Sequence, residues 1–75
     1  MKLETEKAVL QAINDFVELS PELVFTHLPV PIQQKYPHLD IMETLQALEA
    51  RQLIVMDGNM VLLTLAGRAR LIALG

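Results

Sequence analysis

Two histidines and two carboxylates, at His27, His38, Asp40 and Glu43, are the side chains of this sequence that could together bind a metal ion. Protein zinc sites combine such nitrogen and oxygen ligands at short, recurring intervals along the chain. These four residues match no recognised ligand spacing. We therefore expect no metal site.

Ser20 is the single serine of the chain, and there is no cysteine. Nucleophilic catalysis needs an activated side chain with an oriented base beside it, whereas Ser20 precedes Pro21 at a predicted helix boundary, where a capping role is typical. The three glycines are scattered, so no glycine-rich loop is available to hold a phosphate. The sequence predicts neither an enzyme nor a cofactor, and it indicates no small-molecule substrate.

Phosphate binding would depend on a small set of cations. Arg68 and Arg70 are two positions apart on one predicted helix, so their side chains point in different directions. Arg51 lies at the end of another predicted helix, where a cation complements the helix dipole. Lys35 and His38 lie near a predicted turn between two helices, and they are the strongest remaining candidates for contacts with phosphate.

The size and apolar content of the chain favour association. Its 75 residues make one domain, 1–75, and 52% of them are hydrophobic. A chain of this length buries only about 60% of its unfolded surface, so its core is marginal. Apolar surface in excess of what one small core can hide favours a homodimer or a protein partner.

The net charge and the N-terminal sequence limit the expected location and partners of the protein. A formal net charge of −3 has the wrong sign for a general attraction to phosphates. The start of the chain, MKLETEKAV, has no long apolar run, and no later segment is apolar enough to span a bilayer. Together with the absence of cysteine, these features predict a cytoplasmic protein without a membrane segment.

The first half of the chain predicts two helices and one ambiguous segment. Helical spacing of apolar residues predicts helix 1 over residues 3–19, before Ser20-Pro21 interrupts it. Residues 23–28 suit either a short strand or a helical turn that begins at Pro21. A short helix 2 is expected over 31–36, with Pro31 in its first turn, and a turn at 37–39 follows. The apolar stripe of helix 1 comprises Val9, Leu10, Ile13, Phe16 and Val17.

The second half predicts a helix, a hairpin and a last helix in immediate succession. Asp40 is a good N-cap for helix 3, whose buried stripe is Ile41, Leu45 and Leu48. Residues 52–57 and 60–63 read as two strands, and Asp57-Gly58 is a hairpin signal between them. Thr64 is expected to cap a helix that ends near Leu74.

The stretch 41–70 resembles winged helix-turn-helix regulators of the MarR and PadR type. Their sequences often read VSxxLxxLExxGLI, then a hairpin, then LTxxGR, and this chain has IMETLQALEARQLI, VMDGNMVL and LTLAGR. The leucine spacing is common to packed helices, so the hairpin with Leu63-Thr64 and Gly67-Arg68 carries most of the specificity. The resemblance implies an α+β, mostly α fold: a three-helix core, a short β-hairpin wing and a C-terminal helix.

Two departures from that family pattern stand out. Gln52 replaces a glycine that suits a left-handed helix end. The helix that faces DNA in those relatives here turns outward acidic, amide and apolar side chains, and the hairpin tip, from Met56 to Met60, has no cation. Since duplex affinity depends chiefly on phosphate neutralisation, such a surface is expected to bind DNA poorly. The expected outward positions of helix 3 are Met42, Glu43, Gln46, Ala47, Glu49 and Ala50.

The leading hypothesis is a protein-interaction or dimerisation module that can serve a regulatory role. In the last helix, Leu65, Ala69 and Ile72 form one stripe, and Leu71 and Leu74 form a neighbouring one. Terminal helices often make the dimer in regulators of the resembled type. The residues expected to contact a partner are Met42, Met56, Met60, Leu71 and Leu74.

The alternative hypothesis is a DNA-binding transcriptional regulator that docks as a dimer through helix 3 and the wing. Lys35, His38, Gln46 and Arg51 would then be the contact residues, and Glu43 would read a base.

Overall fold

The computed structural model describes residues 2–16 and 18–75, and over these the chain is α+β and mostly helical, as the sequence predicted. Val17, assigned above to the stripe of helix 1, lies outside the described residues. The described elements are α1 (Leu3–Asp15), two 3-10 turns (Pro21–Leu23 and Phe25–His27), α2 (Val30–Lys35), α3 (Ile41–Ala50), β1 (Ile54–Asp57), β2 (Met60–Leu63) and α4 (Leu65–Leu74).

Helix α1 ends at Asp15, four residues before the predicted boundary at 19. Phe16 already has an extended backbone, with φ −117° and ψ 124°. Leu19 has to reach the hairpin, because its carbonyl accepts the Val61 N–H at 2.9 Å and its side chain is buried. Glu18 has φ +61°, outside the right-handed helical region, so the helix does not continue to 19 and the prediction of its end was wrong.

The ambiguous segment is helical. The two 3-10 turns occupy it, which resolves the choice between strand and helical turn in favour of the turn that begins at Pro21. The Thr26 hydroxyl donates to the Leu23 carbonyl at 2.7 Å, which satisfies a turn acceptor that a strand would have left free. Helix α2 then starts one residue earlier than predicted, with Pro31 in its first turn.

Helix α3 has defined ends. Its N-cap is Asp40, whose carboxylate accepts the Glu43 N–H at 3.0 Å, as predicted. At the other end the Gln52 N–H donates to the Glu49 carbonyl and the Leu53 N–H to the Leu48 carbonyl, which is the hydrogen-bond pattern of a Schellman cap. Gln52 takes φ +62°, the left-handed conformation that glycine usually supplies at such a helix end.

The hairpin pairs Ile54 with Leu63 and Asp57 with Met60. Its two loop residues are therefore Gly58 and Asn59, one position later than the predicted Asp57-Gly58 turn. Gly58 has φ +60° at the first loop position, where type II′ hairpins place glycine. Strand β1 is also two residues shorter than predicted, since Gln52 and Leu53 complete the cap of α3.

Helix α4 is joined to the hairpin through Thr64. Its hydroxyl accepts the Gly67 N–H at 2.9 Å, which confirms it as the N-cap, and it also lies within hydrogen-bonding distance of the Gln52 and Leu53 carbonyls. Gly67 lies against the Leu53 carbonyl, and an added Cβ would overlap that oxygen. The start of α4 is therefore held against the turn between α3 and β1.

One apolar core joins these elements. Helices α1 and α3 and the hairpin each contribute side chains with almost no exposed surface. Leu45 and Leu48 from the predicted stripe of α3 are fully buried, while Ile41 is half-buried at its edge. The largest fully buried side chains are Leu10, Leu45, Leu48, Ile54, Val9, Val24 and Val61.

Candidate interaction surface

The outward face of α3 has the composition that its sequence predicted. All six positions expected to face outward are exposed, and among them they hold two glutamates and no cation. Glu49 is engaged within the molecule, since its carboxylate accepts the Met56 N–H at 3.0 Å. Glu43 and Gln46 remain as exposed polar side chains, and Met42 is an exposed apolar one.

The hairpin lies between α3 and the segment after α1. The Met56 N–H on one edge is accepted by Glu49, and the Val61 N–H on the other edge is accepted by Leu19. These two outward-pointing amides are therefore satisfied, and their bonds hold the hairpin on the body of the protein. Opposite each other on its solvent side, Val55 and Leu62 are exposed.

The methionines predicted to form a contact surface differ in exposure. Met42 on α3 is exposed, whereas Met56 is half-buried and packs against the core. Met60 is half-buried and pairs across the hairpin with the exposed Asp57. The three side chains therefore offer much less free apolar surface than three exposed methionines would.

Of the two apolar stripes predicted on α4, one packs in the core and the other faces solvent. Leu71 is only 8% exposed and belongs to the core, and the half-buried Leu74 packs against it. Leu65 and Ile72 are 87% and 74% exposed. We call the exposed side, made of Leu65, Arg68, Ala69 and Ile72, the outer face of α4.

A buried carboxylate joins three helices. Glu6 of α1 is 2% exposed and lies 2.9 Å from the Arg51 guanidinium at the end of α3 and 2.9 Å from the Arg70 guanidinium of α4. The hydrogen bond from Arg70, helped by the charge of Arg51, holds the pKa of the Glu6 carboxyl below its usual range, although burial alone would raise it. Both arginines are thus used inside the molecule.

Lys35 is also engaged within the chain. Its ammonium donates to a Glu4 carboxylate oxygen at 2.7 Å, and the Tyr36 hydroxyl donates to the same oxygen at 2.6 Å. The bond from Lys35, followed by that from Tyr36, lowers the pKa of Glu4, and Glu4 in return raises the pKa of Lys35. This exposed pair links α2 to the start of α1.

His38 is the remaining candidate DNA contact, and it lines a cleft of about 410 Å³ with mixed polar and apolar walls between the start of α1 and α3. Asp40 and Glu43 line the same cleft, with Lys2 and Tyr36 beside them. Two carboxylates so close to His38 make this a poor place for a phosphate. Of the candidate phosphate contacts, Lys35 and Arg51 each lie against a carboxylate of α1, and His38 shares a cleft with two acidic residues.

Several residues that shape this surface were missed from the sequence. Glu6 is one of them, and it lies four and seven positions before Leu10 and Ile13, on their buried stripe. A charge on an apolar stripe is a signal for a buried ion pair. The exposure of Val55 and Leu62 could also have been predicted from the sequence. Side chains alternate between the two faces of a strand, so Val55 and Leu62 lie on the face opposite to that of Ile54 and Val61.

Over residues 2–16 and 18–75, no group of three or more histidine or acidic side chains comes together that could hold a metal ion. In the same part of the chain, no helix has both the length and the apolar character needed to cross a membrane.

Comparisons with protein-family models, with curated proteins and with solved structures give no significant match to this chain.

Proposed function

We propose that this chain is a small winged-helix protein that acts by binding protein, first of all a second copy of itself. The winged-helix assignment is supported by the order of three helices, a hairpin directly after the third, and a terminal helix. The resemblance of residues 41–70 to winged helix-turn-helix regulators supports the same assignment.

The outer face of α4 is the observation that carries the proposal. Leu71 and Gly67, on the opposite side of α4, are buried, and Arg70 is tied to Glu6. The packing of α4 on its own domain is therefore complete without Leu65 and Ile72. Large aliphatic side chains left exposed together on one helix face are typical of an interaction surface.

A rough energy estimate sets the strength of such a dimer. Burying one leucine or isoleucine side chain contributes about 2 kcal/mol, so the four copies of Leu65 and Ile72 in a symmetric pair contribute roughly 8 kcal/mol. Association costs about 4–15 kcal/mol in lost freedom of motion. The outer face of α4 therefore supports a weak dimer, and a stable one needs further apolar contact, such as from the exposed Val55 and Leu62.

The charges weigh against DNA as the main partner. Arg51 and Lys35 would have to leave their carboxylate partners to meet phosphates, and α3 would approach the duplex with Glu43 exposed. Each phosphate contact not made lowers duplex affinity steeply. A DNA-binding regulator stays the alternative because Gln46 is exposed on α3, where it could bond an adenine edge.

The oligomeric state tests the proposal. We expect the protein to self-associate at about 0.1–1 mM in sedimentation equilibrium, as for a weak dimer, and Leu65→Asp or Ile72→Asp to make it monomeric. Ala66→Asp adds the same charge to an exposed position of α4 off the outer face, and it should leave association intact. Leu71→Asp is unsuitable, because it would place a charge in the core. A monomeric wild-type protein at these concentrations would overturn the dimer.

Duplex titration tests the alternative. Fluorescence polarisation with mixed-sequence duplex at low salt should show no binding at micromolar protein. The DNA-binding alternative instead requires binding that weakens as salt rises and that Gln46→Ala reduces, without a change in stability. That result would replace the protein-interaction proposal.

A further inference from the structure

A groove of about 420 Å³ lies between α1 and the proline-containing segment that leads into α2. Ala8 and Ala12 line it from α1, and Pro29, Pro31 and Ile32 line it from the opposite side. Neither the dimer proposed above nor the α3 surface uses this groove. Its volume and its mainly apolar lining are those of a site for a small organic molecule.

The shape of the groove is elongated along α1. Its lining extends from Glu4 to Asp15, and at 1.5 Å per residue this part of the helix is about 16 Å long. The Phe16 and His27 rings line it near the Asp15 end, with their centroids 4.2 Å apart. A narrow apolar path that ends at aromatic rings fits a linear chain better than a bulky ring system.

The charged side chains beside the groove select the headgroup. Glu4 is neutralised by Lys35, and Asp15 accepts the Gln11 amide N–H at 2.8 Å. Lys7 also lines the groove, and among the described residues it has no ion-pair partner. An ammonium without a partner beside an apolar path is complementary to an anion that carries a hydrocarbon chain.

We infer that this groove binds a linear medium-chain carboxylate. Its carboxylate lies at the Lys7 ammonium, and its chain runs past Ala8 and Ala12 toward the ring of Phe16. An extended chain of about eight carbons is roughly 9 Å long, which matches the rise of α1 from Lys7 to about Ala12 and leaves its end directed toward Phe16. Its methylenes are buried against alanine, proline and isoleucine side chains.

Titration with sodium octanoate, followed by NMR of the full chain at neutral pH and low ionic strength, tests the inference. We expect saturable shifts of the Ala8, Ala12 and Ile32 methyls with a Kd on the order of 0.1–1 mM, as for a small ligand. Butanoate should bind at least tenfold more weakly, because each lost methylene removes apolar contact.

Matched lysine variants locate the headgroup. Lys7→Gln should weaken octanoate binding about fivefold, as expected for a half-solvated charge pair. Lys2→Gln should not change it, since Lys2 is an equally exposed lysine that lines the other cleft. Both positions are exposed, so both variants should fold.

Three outcomes would overturn the inference. The first is that octylammonium binds as tightly as octanoate or more tightly, which would show that the groove selects a cation through Asp15 and not an anion through Lys7. The second is octanoate shifts at Leu65 and Ile72 in place of the groove methyls, which would report general adsorption to the exposed face of α4. The third is the absence of saturable shifts at 5 mM, roughly five times the weakest expected Kd.

Discussion

The buried carboxylate of Glu6 determines which contacts two arginines of the chain make. A carboxylate buried without partners would be strongly unfavourable, and the two guanidiniums beside it remove that penalty. Through their ion pairs with Glu6, Arg51 and Arg70 connect the end of α3 and the middle of α4 to α1. The same interaction withdraws two of the six lysines and arginines of the chain from any external anion.

Glu6→Gln should destabilise the protein by about 1–2 kcal/mol, because it removes the buried counter-charge of two arginines whose guanidiniums are themselves partly solvated. Urea denaturation at pH 7 measures this. Glu4→Gln is the matched control, since Glu4 makes its ion pair with Lys35 at the surface, and its loss should be much smaller. Equal losses for the two variants would show that burial of Glu6 adds nothing.

The difference between wild type and Glu6→Gln should depend on pH in one direction. Because the folded-state pKa of Glu6 is lowered, its stabilisation is fully present above the unfolded value of about 4.3 and is lost as the pH falls through the lower folded value. The two proteins should therefore differ at pH 6 and approach each other below about pH 4. A difference that stays constant down to pH 3 would contradict this assignment.

Gln52 is held in a left-handed conformation that glycine adopts at no steric cost. Gln52→Gly should therefore stabilise the protein by about 1 kcal/mol in thermal or urea unfolding. Gln46→Gly makes the same change at an exposed position inside α3, where it should destabilise by about 1 kcal/mol. Opposite signs for the two variants are the expected result, and two losses would show that the side chain of Gln52 contributes more than its backbone costs.

At the scale of elements, the contact between α4 and the turn after α3 depends on the absence of a side chain at Gly67. The Leu53 carbonyl, which that glycine approaches, also accepts the Thr64 N–H at 3.1 Å, so it cannot move without breaking the junction between hairpin and α4. The close approach is thus built into the cap of α4.

Gly67→Ala should destabilise the protein by about 3 kcal/mol, although alanine is the better helix former, because the methyl group overlaps backbone. Thermal unfolding followed by circular dichroism measures the loss. Arg68→Ala, at the next and exposed position, should change the stability little. If Gly67→Ala were instead stabilising, the close packing of α4 on Leu53 would be refuted.

At the scale of the whole molecule, the main feature is an apolar content larger than one small core can hide. Several large apolar side chains stay exposed, on the hairpin, on α3 and above all on α4. Association is the usual way in which so small a domain gains stability.

Unfolding should therefore depend on protein concentration. For a dimer that unfolds to separate chains, the midpoint temperature rises with chain concentration, because mass action favours the associated state. We expect this rise over a hundredfold range for the wild-type protein and none for Ile72→Asp. Identical midpoints at all wild-type concentrations would contradict the dimer.

Local information in the sequence was enough for most of the elements. The signals that act within a few residues are proline, the capping side chains of Asp40 and Thr64, and the Asp57-Gly58 pair. These signals predicted the positions of α2, α3, the hairpin and α4 to within one or two residues. Apolar periodicity identified the core stripe of α3 and its outward residues. It also listed both apolar stripes of α4.

Tertiary contacts decided the rest, since they depend on residues far apart in the chain. Which stripe of α4 faces solvent follows from the fit of Gly67 on Leu53 and from the bond between Arg70 and Glu6, which no local pattern encodes. The end of α1 is fixed by the distant hydrogen bond between Leu19 and Val61. Three of the cations were likewise found to be engaged only when folding brought α1 carboxylates to Lys35, Arg51 and Arg70.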